Sequence, residues 1–210
     1  MRDYWNGVWD NPDINEYIKY TTGYATAKPA FLETFAQYGV KNVCDAACGF
    51  GAYSVMLAKN GYNVSGFDIS CNAIRLAQKM LVEFDCPIGG YKVCEITKID
   101  YEDKTFDAVV AHAVIDHLSL AGTGIALNEM RRILTPGGLL YLTFDPLSED
   151  DVNKQHMLLE DGSRQYEDGL LFRHYSDGDI QQLLQDTKVI FSNTNSRGVR
   201  EFVLRTRQED

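Results

Sequence analysis

The chain is poor in proline, with five in 210 residues, and no apolar run approaches the twenty or so residues that a membrane-spanning helix needs. Positive charge is also scarce. Twenty Lys and Arg face thirty Asp and Glu, a formal net charge of -10. A chain of that sign has no general attraction for a polyphosphate backbone. Neither a nucleic-acid nor a membrane partner is therefore expected. The five cysteines are an odd number and contain no Cys-x-x-Cys pair, which argues against a disulfide framework and against a zinc knuckle. Cys44, Cys48 and Cys94 fall at predicted strand ends or turns and read as buried thiols. Met1-Arg2-Asp3-Tyr4-Trp5 lacks the apolar stretch of a secretory leader, so a cytoplasmic location is the expectation. What is present is ordinary for a folded globule. Hydrophobic residues make up 45%, and the length suits a single α/β domain over 1–210.

The stretch around which the chain is organised is Val43-Cys44-Asp45-Ala46-Ala47-Cys48-Gly49-Phe50-Gly51. A short strand runs into a carboxylate, then into small residues and two glycines, then into a helix carrying Val55, Met56, Leu57 and Ala58. Small residues let backbone approach a ligand, and free N–H groups at a helix start attract polar groups. The glycine spacing nearly matches the dinucleotide pattern G-x-G-x-x-G/A. Asp45 stands ahead of the glycines, however, where it would repel a pyrophosphate and suit a cationic or hydroxyl-bearing ligand. The plainer alternative is a tight strand-to-helix turn with a surface Asp.

Residues 1–40 are strongly aromatic, with Trp5, Trp9, Tyr17, Tyr20 and Tyr24, and Ile14, Tyr17, Ile18 and Thr21 recur at helical spacing. Pro29 opens a second helix with Phe31, Leu32, Phe35 and Ala36 on one face. Two readings stand for this segment: a helical lid over a ligand, or a helix pair packed on the sheet. Residues 41–145 alternate strand and helix. Strands are expected at 41–44, 62–67, 90–94, 106–111 and 139–144, with a turn at Thr135-Pro136-Gly137-Gly138. Ser70 is a good N-cap for the helix carrying Ala73, Ile74, Ala77, Met80 and Leu81. Repeated βα units imply a parallel sheet with right-handed crossovers. In 146–175, Asp161-Gly162 marks an inserted β-hairpin, followed by an extended piece over 170–175. Ser176 caps a last helix, and two final strands complete 176–210. The fold class is α/β: a Rossmann-like three-layer sandwich with a mostly parallel seven-stranded sheet and a terminal antiparallel strand.

Four strand ends then converge at the sheet edge where open α/β sheets bind ligands: Asp45, Asp68, Glu95 and His112. An acidic residue after the second strand, roughly twenty residues past the glycines, can accept both hydroxyls of a ribose.

At this point the chain resembles the class I S-adenosylmethionine-dependent methyltransferases. The resemblance rests on residues 43–51, Gly-Phe-Asp-Ile-Ser at 66–70, Phe-Asp-Ala-Val-Val-Ala-His at 106–112 and Arg-Arg-Ile-Leu-Thr-Pro-Gly-Gly at 131–138, about half the chain. It implies S-adenosylmethionine as cofactor. It places Asp45, Ala47 and Gly49 along the methionine portion, with Gly51 in the same turn. Asp68 would hold the ribose, with Ile69 and Ala73 against adenine and Glu95 and Ile96 at its edge. Ala111 and His112 would close the pocket near the sulfonium. Ala47 stands where glycine is commoner, and Glu95 where aspartate is.

His112, Asp116 and His117 are the base candidates. His112 and Asp116 are the catalytic choices, with a plain pocket wall as the alternative for His112. His117 suits a structural hydrogen bond. Asp116-His117 also has part of the Glu-x-x-Glu-His metal pattern of some relatives, but Ala113 stands at its first position, and no metal is expected. Tyr20, Tyr24, Arg173 and Tyr175 are the acceptor-side candidates, with Arg173 or Tyr175 pointing into the pocket; the alternative for Arg173 and Tyr175 is a polar edge strand. The leading function is methyl transfer to a small molecule. Competing readings are a protein side-chain methyltransferase, a regulator that binds the cofactor without transfer, and a nicotinamide dehydrogenase, which Asp45 disfavours.

Overall fold

A computed structural model of the chain describes residues 1–10, 13–185 and 187–206. Three helices precede the first strand: α1 (Arg2–Val8), α2 (Ile14–Ala25) and α3 (Phe31–Gln37). Then follow β1 (Asn42–Ala46), α4 (Ala52–Lys59), β2 (Asn63–Asp68), α5 (Cys71–Glu83), β3 (Tyr91–Val93) and β4 (Phe106–Ala111). A 3-10 turn, Ile115–His117, leads to α6 (Leu120–Ile133) and β5 (Leu134–Phe144). A short helix α7 (Glu149–Asn153) opens the insertion, which contains β6 (His156–Leu158), β7 (Arg164–Tyr166) and β8 (Leu171–Phe172). The chain closes with α8 (Asp177–Leu184), β9 (Lys188–Thr194) and β10 (Arg200–Arg205). The expected final segment also took in Asp186 and 207–210, which lie outside the described residues.

The main sheet has the order β3-β2-β1-β4-β5-β10-β9. Strands β1 to β5 pair in parallel, and β10 runs antiparallel to both β5 and β9. The chain reverses on either side of β1, which opens a crevice at the C-terminal ends of β1 and β4, where such sheets take ligands. β4 is buried along nearly its whole length, as a strand covered on both faces should be. One apolar layer packs Ala126, Met130 and Ile133 of α6 with Ile180 and Leu184 of α8. The opposite layer packs Phe31 and Phe35 of α3 with Met56 and Leu57 of α4, against Tyr141 and Val203. Among the described residues no helix is long and apolar enough to cross a membrane.

The structure departs from the sequence expectation in four places. A helix, α1, forms over Arg2–Val8, where none was expected, and it buries none of its own residues. The turn expected at 135–138 lies inside a strand, because β5 begins at Leu134, with a register shift against β4 between Phe106 and Ala108. Gly138 is required there: a Cβ would stand 2.8 Å from the Thr135 carbonyl oxygen. The short α7 was also missed, although Ser148 and Asp151 form a reciprocal cap at its start. Finally, the expected hairpin is a three-stranded antiparallel sheet, β6-β7-β8, separate from the main one.

Candidate functional site

The loop from β1 to α4 is set by backbone shape. Ala47, Gly49 and Gly51 have φ of +53°, +53° and +89°. A non-glycine residue in that region costs about 1–2 kcal/mol, which explains the preference for glycine at the place of Ala47. At Gly49 a Cβ would meet the Trp9 ring at 3.2 Å. Gly51 forms the left-handed start of α4 and lies against Ala77 of α5.

Asp68, at the end of β2, ties this loop to the next. Its Oδ2 accepts the Gly49 N–H and its Oδ1 accepts the Ser70 N–H, both at 2.9 Å. Burial pushes its pKa up, while those backbone donors pull it down. Asp45 is 2% exposed and accepts the Ser54 hydroxyl proton at 2.5 Å. Burial raises its pKa to about 7.

A cavity of about 580 Å³ opens at these strand ends, within the range of small-ligand sites. Its floor and sides include Ala47, Gly49, Asp68, Ile69, Glu95 and Ile96. Its far wall carries Ala113, His117 and Leu118, with Leu171 from the small sheet. Ala113, like Ala47, is a non-glycine residue at positive φ, +50°.

Helix α1 crosses this cavity, and Arg2, Trp5 and Trp9 line it. Three sets of contacts hold the helix. Arg2 pairs with Glu95 at 3.2 Å, an exposed bridge of small energetic value. Asn6 accepts the Ser70 hydroxyl proton at 2.8 Å, and its carbonyl accepts from the Asn72 side chain at 3.0 Å. The Trp5 ring stands edge-on to His117 at 5.1 Å. His117 in turn donates from Nδ1 to the Leu171 carbonyl at 3.0 Å. The segment over the cavity is thus α1, whereas Tyr20 and Tyr24 sit on α2, over Phe50 and Tyr53.

Several residues named from sequence are not among those that line the cavity, although His112 adjoins Ala113, which does. Ala73 and Ala111 are fully buried, and Gly51 is buried where α4 starts against Ala77 of α5. His112 stacks on Tyr53 with centroids 4.1 Å apart, and its Nδ1 has no partner among the described residues. Burial lowers its pKa to about 4, with the Arg197 charge acting in the same direction. Asp116 is fully buried, and its Oδ2 accepts the Asp145 N–H at 3.1 Å. Burial lifts its pKa to about 7.

The expectation that Arg173 or Tyr175 points into the pocket differs from their placement. Tyr175 is 1% exposed, shares a hydrogen bond with the Thr123 hydroxyl at 2.8 Å and packs on Phe144. The Arg173 guanidinium donates to the Asp161 carbonyl and lies over the Tyr175 ring. Its backbone N–H reaches the Asp116 carbonyl at 2.6 Å, which draws the segment under the small sheet. The sequence reading missed Ala113, Leu118 and Leu171 and the inward role of Trp5 and Trp9. The N-terminal aromatic cluster was the one available signal for the tryptophans.

The residues present fit an adenosyl ligand. Asp68 keeps lone pairs for hydroxyls after binding two backbone donors, and Ile69 and Ile96 offer apolar contact in the cavity lining.

Comparison with known proteins agrees with this geometry. A family model described as a methyltransferase domain matches residues 44–142. The mitochondrial ubiquinone biosynthesis O-methyltransferase of Mus musculus is 33% identical over 105 residues, covering 48% of this chain and 28% of that protein. Phosphoethanolamine N-methyltransferase 3 of Arabidopsis thaliana is 28% identical over 124 residues, covering 59% of this chain and 24% of that protein. The chain thus spans less than a third of the length of these two relatives. A solved S-adenosylmethionine-dependent methyltransferase from Methanosarcina mazei superposes with a TM-score of 0.70 at 22% identity, covering 87% of this chain and 99% of that one. The matched segment holds the β1 turn, Asp68 and the end of β4. Residues 44–142 thus match the methyltransferase-domain family, and the chain has the fold of the class I S-adenosylmethionine-dependent methyltransferases.

Proposed function

We propose that this protein transfers the sulfonium methyl of S-adenosylmethionine to a small-molecule acceptor by in-line attack. The observation that carries the reading is the α1-covered cavity with the Asp68 carboxylate on its wall. Two relatives whose names state small-molecule reactions, the ubiquinone biosynthesis O-methyltransferase and the phosphoethanolamine N-methyltransferase, support a small acceptor.

The bound cofactor supplies an electrophilic methyl, so the protein's work is to orient and to exclude water. Orientation of this kind contributes roughly 7–11 kcal/mol. Asp68 and the β1 turn hold the ribose and the methionine chain, and α1 keeps water from the cavity. His112, at the end of β4, is the base proposed for an acceptor that carries its proton at neutral pH. A neutral imidazole is the form that can take that proton.

The state of His112 can be measured. Its imidazole signals should titrate by NMR with a midpoint of about 4, not near 6.5. The unfolded chain then binds more protons than the folded one between those values. Stability is therefore kept above pH ~6.5 and lost as the pH falls through about 4. A His112 midpoint at 6.5 would contradict the enclosed neutral imidazole.

The function itself is tested with methyl-labelled S-adenosylmethionine. The protein is incubated separately with the low-molecular-weight and the macromolecular fractions of one cell extract. Label should pass to the small-molecule fraction. Label recovered only in acid-precipitable protein would point to a side-chain acceptor instead.

A further inference from the structure

The cavity has a second wall, beyond the residues assigned to the cofactor. Asp68, Ile69, Glu95 and Ile96 stand at or just past the ends of β2 and β3. Ala113, Val114, His117, Leu118, Ser119 and Leu171 come instead from the β4–α6 connection and from β8. Four of these six side chains are apolar. Of the two polar ones, Ser119 caps α6 by accepting the Gly122 N–H at 3.1 Å. His117 is the other.

His117 is held so that one ring nitrogen is engaged and the other is left. A carbonyl oxygen only accepts, so the 3.0 Å contact with Leu171 puts the ring proton on Nδ1. Trp5 and Phe172 stand edge-to-face with the ring, centroids 5.1 and 6.0 Å away, which fixes its plane. Burial lowers the His117 pKa, against the Leu171 bond and the charges of Asp145 and Asp151, so the ring is neutral near pH 7. Nε2 then carries a bare lone pair. Among the described residues it has no hydrogen-bond partner, and it is not closed off as Nδ1 of His112 is. A lone pair in an otherwise apolar wall selects a ligand that brings a donor.

We propose that His117 is the acceptor-binding residue of this second wall, and that the methyl acceptor is a small, uncharged, largely apolar molecule whose O–H or N–H donates to Nε2. Its apolar body rests on Ala113, Val114, Leu118 and Leu171. A carboxylate is disfavoured twice. It has no proton to donate, and Asp68 and Glu95 line the same cavity in a chain of net charge -10. The contact positions the acceptor and is separate from the proton removal assigned to His112. Strand β8 takes part through its main chain, since the Leu171 carbonyl sets which nitrogen is free. This rests on the small-molecule function proposed above, and it names the chemistry of the acceptor.

The test has two arms. In protein labelled with heavy nitrogen in its histidines, NMR near neutral pH should show the His117 proton on Nδ1 and a bare Nε2; a proton on Nε2 would overturn the proposal. The second arm uses protein saturated with S-adenosylhomocysteine and two probes of one shape, 4-methylphenol and 4-fluorotoluene, which differ in the donor. Ligand-observed NMR should show the phenol binding about fivefold tighter or more, the scale of one neutral hydrogen bond. The phenol alone should move the Nε2 signal. His117→Phe should erase the preference, and His117→Gln, whose amide oxygen still accepts, should keep part of it. The ratio of the two probes is read within each protein, so a general weakening does not imitate the effect. Equal binding of the two probes, no binding of either, or a preference that survives in His117→Phe would overturn the proposal. Absence of methyl transfer to the small-molecule fraction would instead refute the function on which it rests, and the nitrogen signals can still be read in that case.

Discussion

Replacing Asp68 with alanine is expected to weaken S-adenosylhomocysteine binding at least tenfold while leaving the chain folded. One carboxylate serves two purposes here. Its oxygens already accept the N–H groups of Gly49 and Ser70, which fixes the β1 turn relative to the start of α5. Asp68 also lines the cavity, so its remaining lone pairs can accept from the hydroxyls of a ribose bound there. Each charge-assisted hydrogen bond contributes about 1.5–3 kcal/mol, and about 1.4 kcal/mol is a factor of ten in affinity. Losing one ribose bond therefore accounts for a tenfold change, and losing the loop geometry adds to it. Asp68→Asn keeps one acceptor oxygen and should fall between the two. Calorimetry reads the affinity, and a melting curve reports the fold. Unchanged affinity in a folded Asp68→Ala protein would remove Asp68 from the site.

The second large effect is on stability. Gly51→Ala should cost roughly 2–5 kcal/mol, from about 1–2 for a left-handed non-glycine residue and about 1–3 for overpacking. The reason is specific to this position. The φ of Gly51 is +89°, and an added Cβ would stand 2.8 Å from the Cα of Ala77 and 2.9 Å from its Cβ. The obstacle is backbone of α5, which cannot swing aside like the end of a flexible side chain. Gly61 provides the internal control. It has the same φ, +89°, but nothing within 4 Å of an added Cβ. Gly61→Ala should therefore show only the conformational cost. With a domain of this size, the Gly51 variant should melt on the order of 10 °C lower. Equal losses at the two glycines would show that the α4–α5 contact is not what Gly51 serves.

The contrast between these glycines shows what the sequence could convey. The turn from Val43 to Gly51 was legible because its chemistry is local: a strand, a carboxylate, small residues and a helix start. β4 was legible because a strand covered on both faces must be apolar throughout. Ser70 and Ser176 marked helix starts through their own side chains, and both cap as expected. The mostly parallel sheet followed from repeated βα units.

What was not legible depends on distant partners. Helix α1 has no buried face of its own, so its sequence shows no helical period. It is held in place by Glu95, Ser70, Asn72 and His117, none of them near it in sequence. Arg173 and Tyr175 read as polar groups beside a hairpin, free to face a pocket. A third strand and the Asp116 carbonyl instead draw that segment inward, and Tyr175 finds Thr123 fifty-two residues away. The extension of β5 through Thr135-Pro136-Gly137-Gly138 has a similar cause. Proline and glycine mark a turn locally, yet pairing of Leu134 with Phe106 carries the strand through it.

The central claim is that the cavity beneath α1, at the ends of β1, β2 and β3, is the cofactor site. A crystal structure of the protein grown with S-adenosylhomocysteine tests this most directly. The account predicts both ribose hydroxyls within hydrogen-bond distance of Asp68, adenine between Ile69 and Ile96, and Trp5 and Trp9 over the ligand. Ligand density at any other face of the sheet, or in this cavity with the ribose turned away from Asp68, would contradict it.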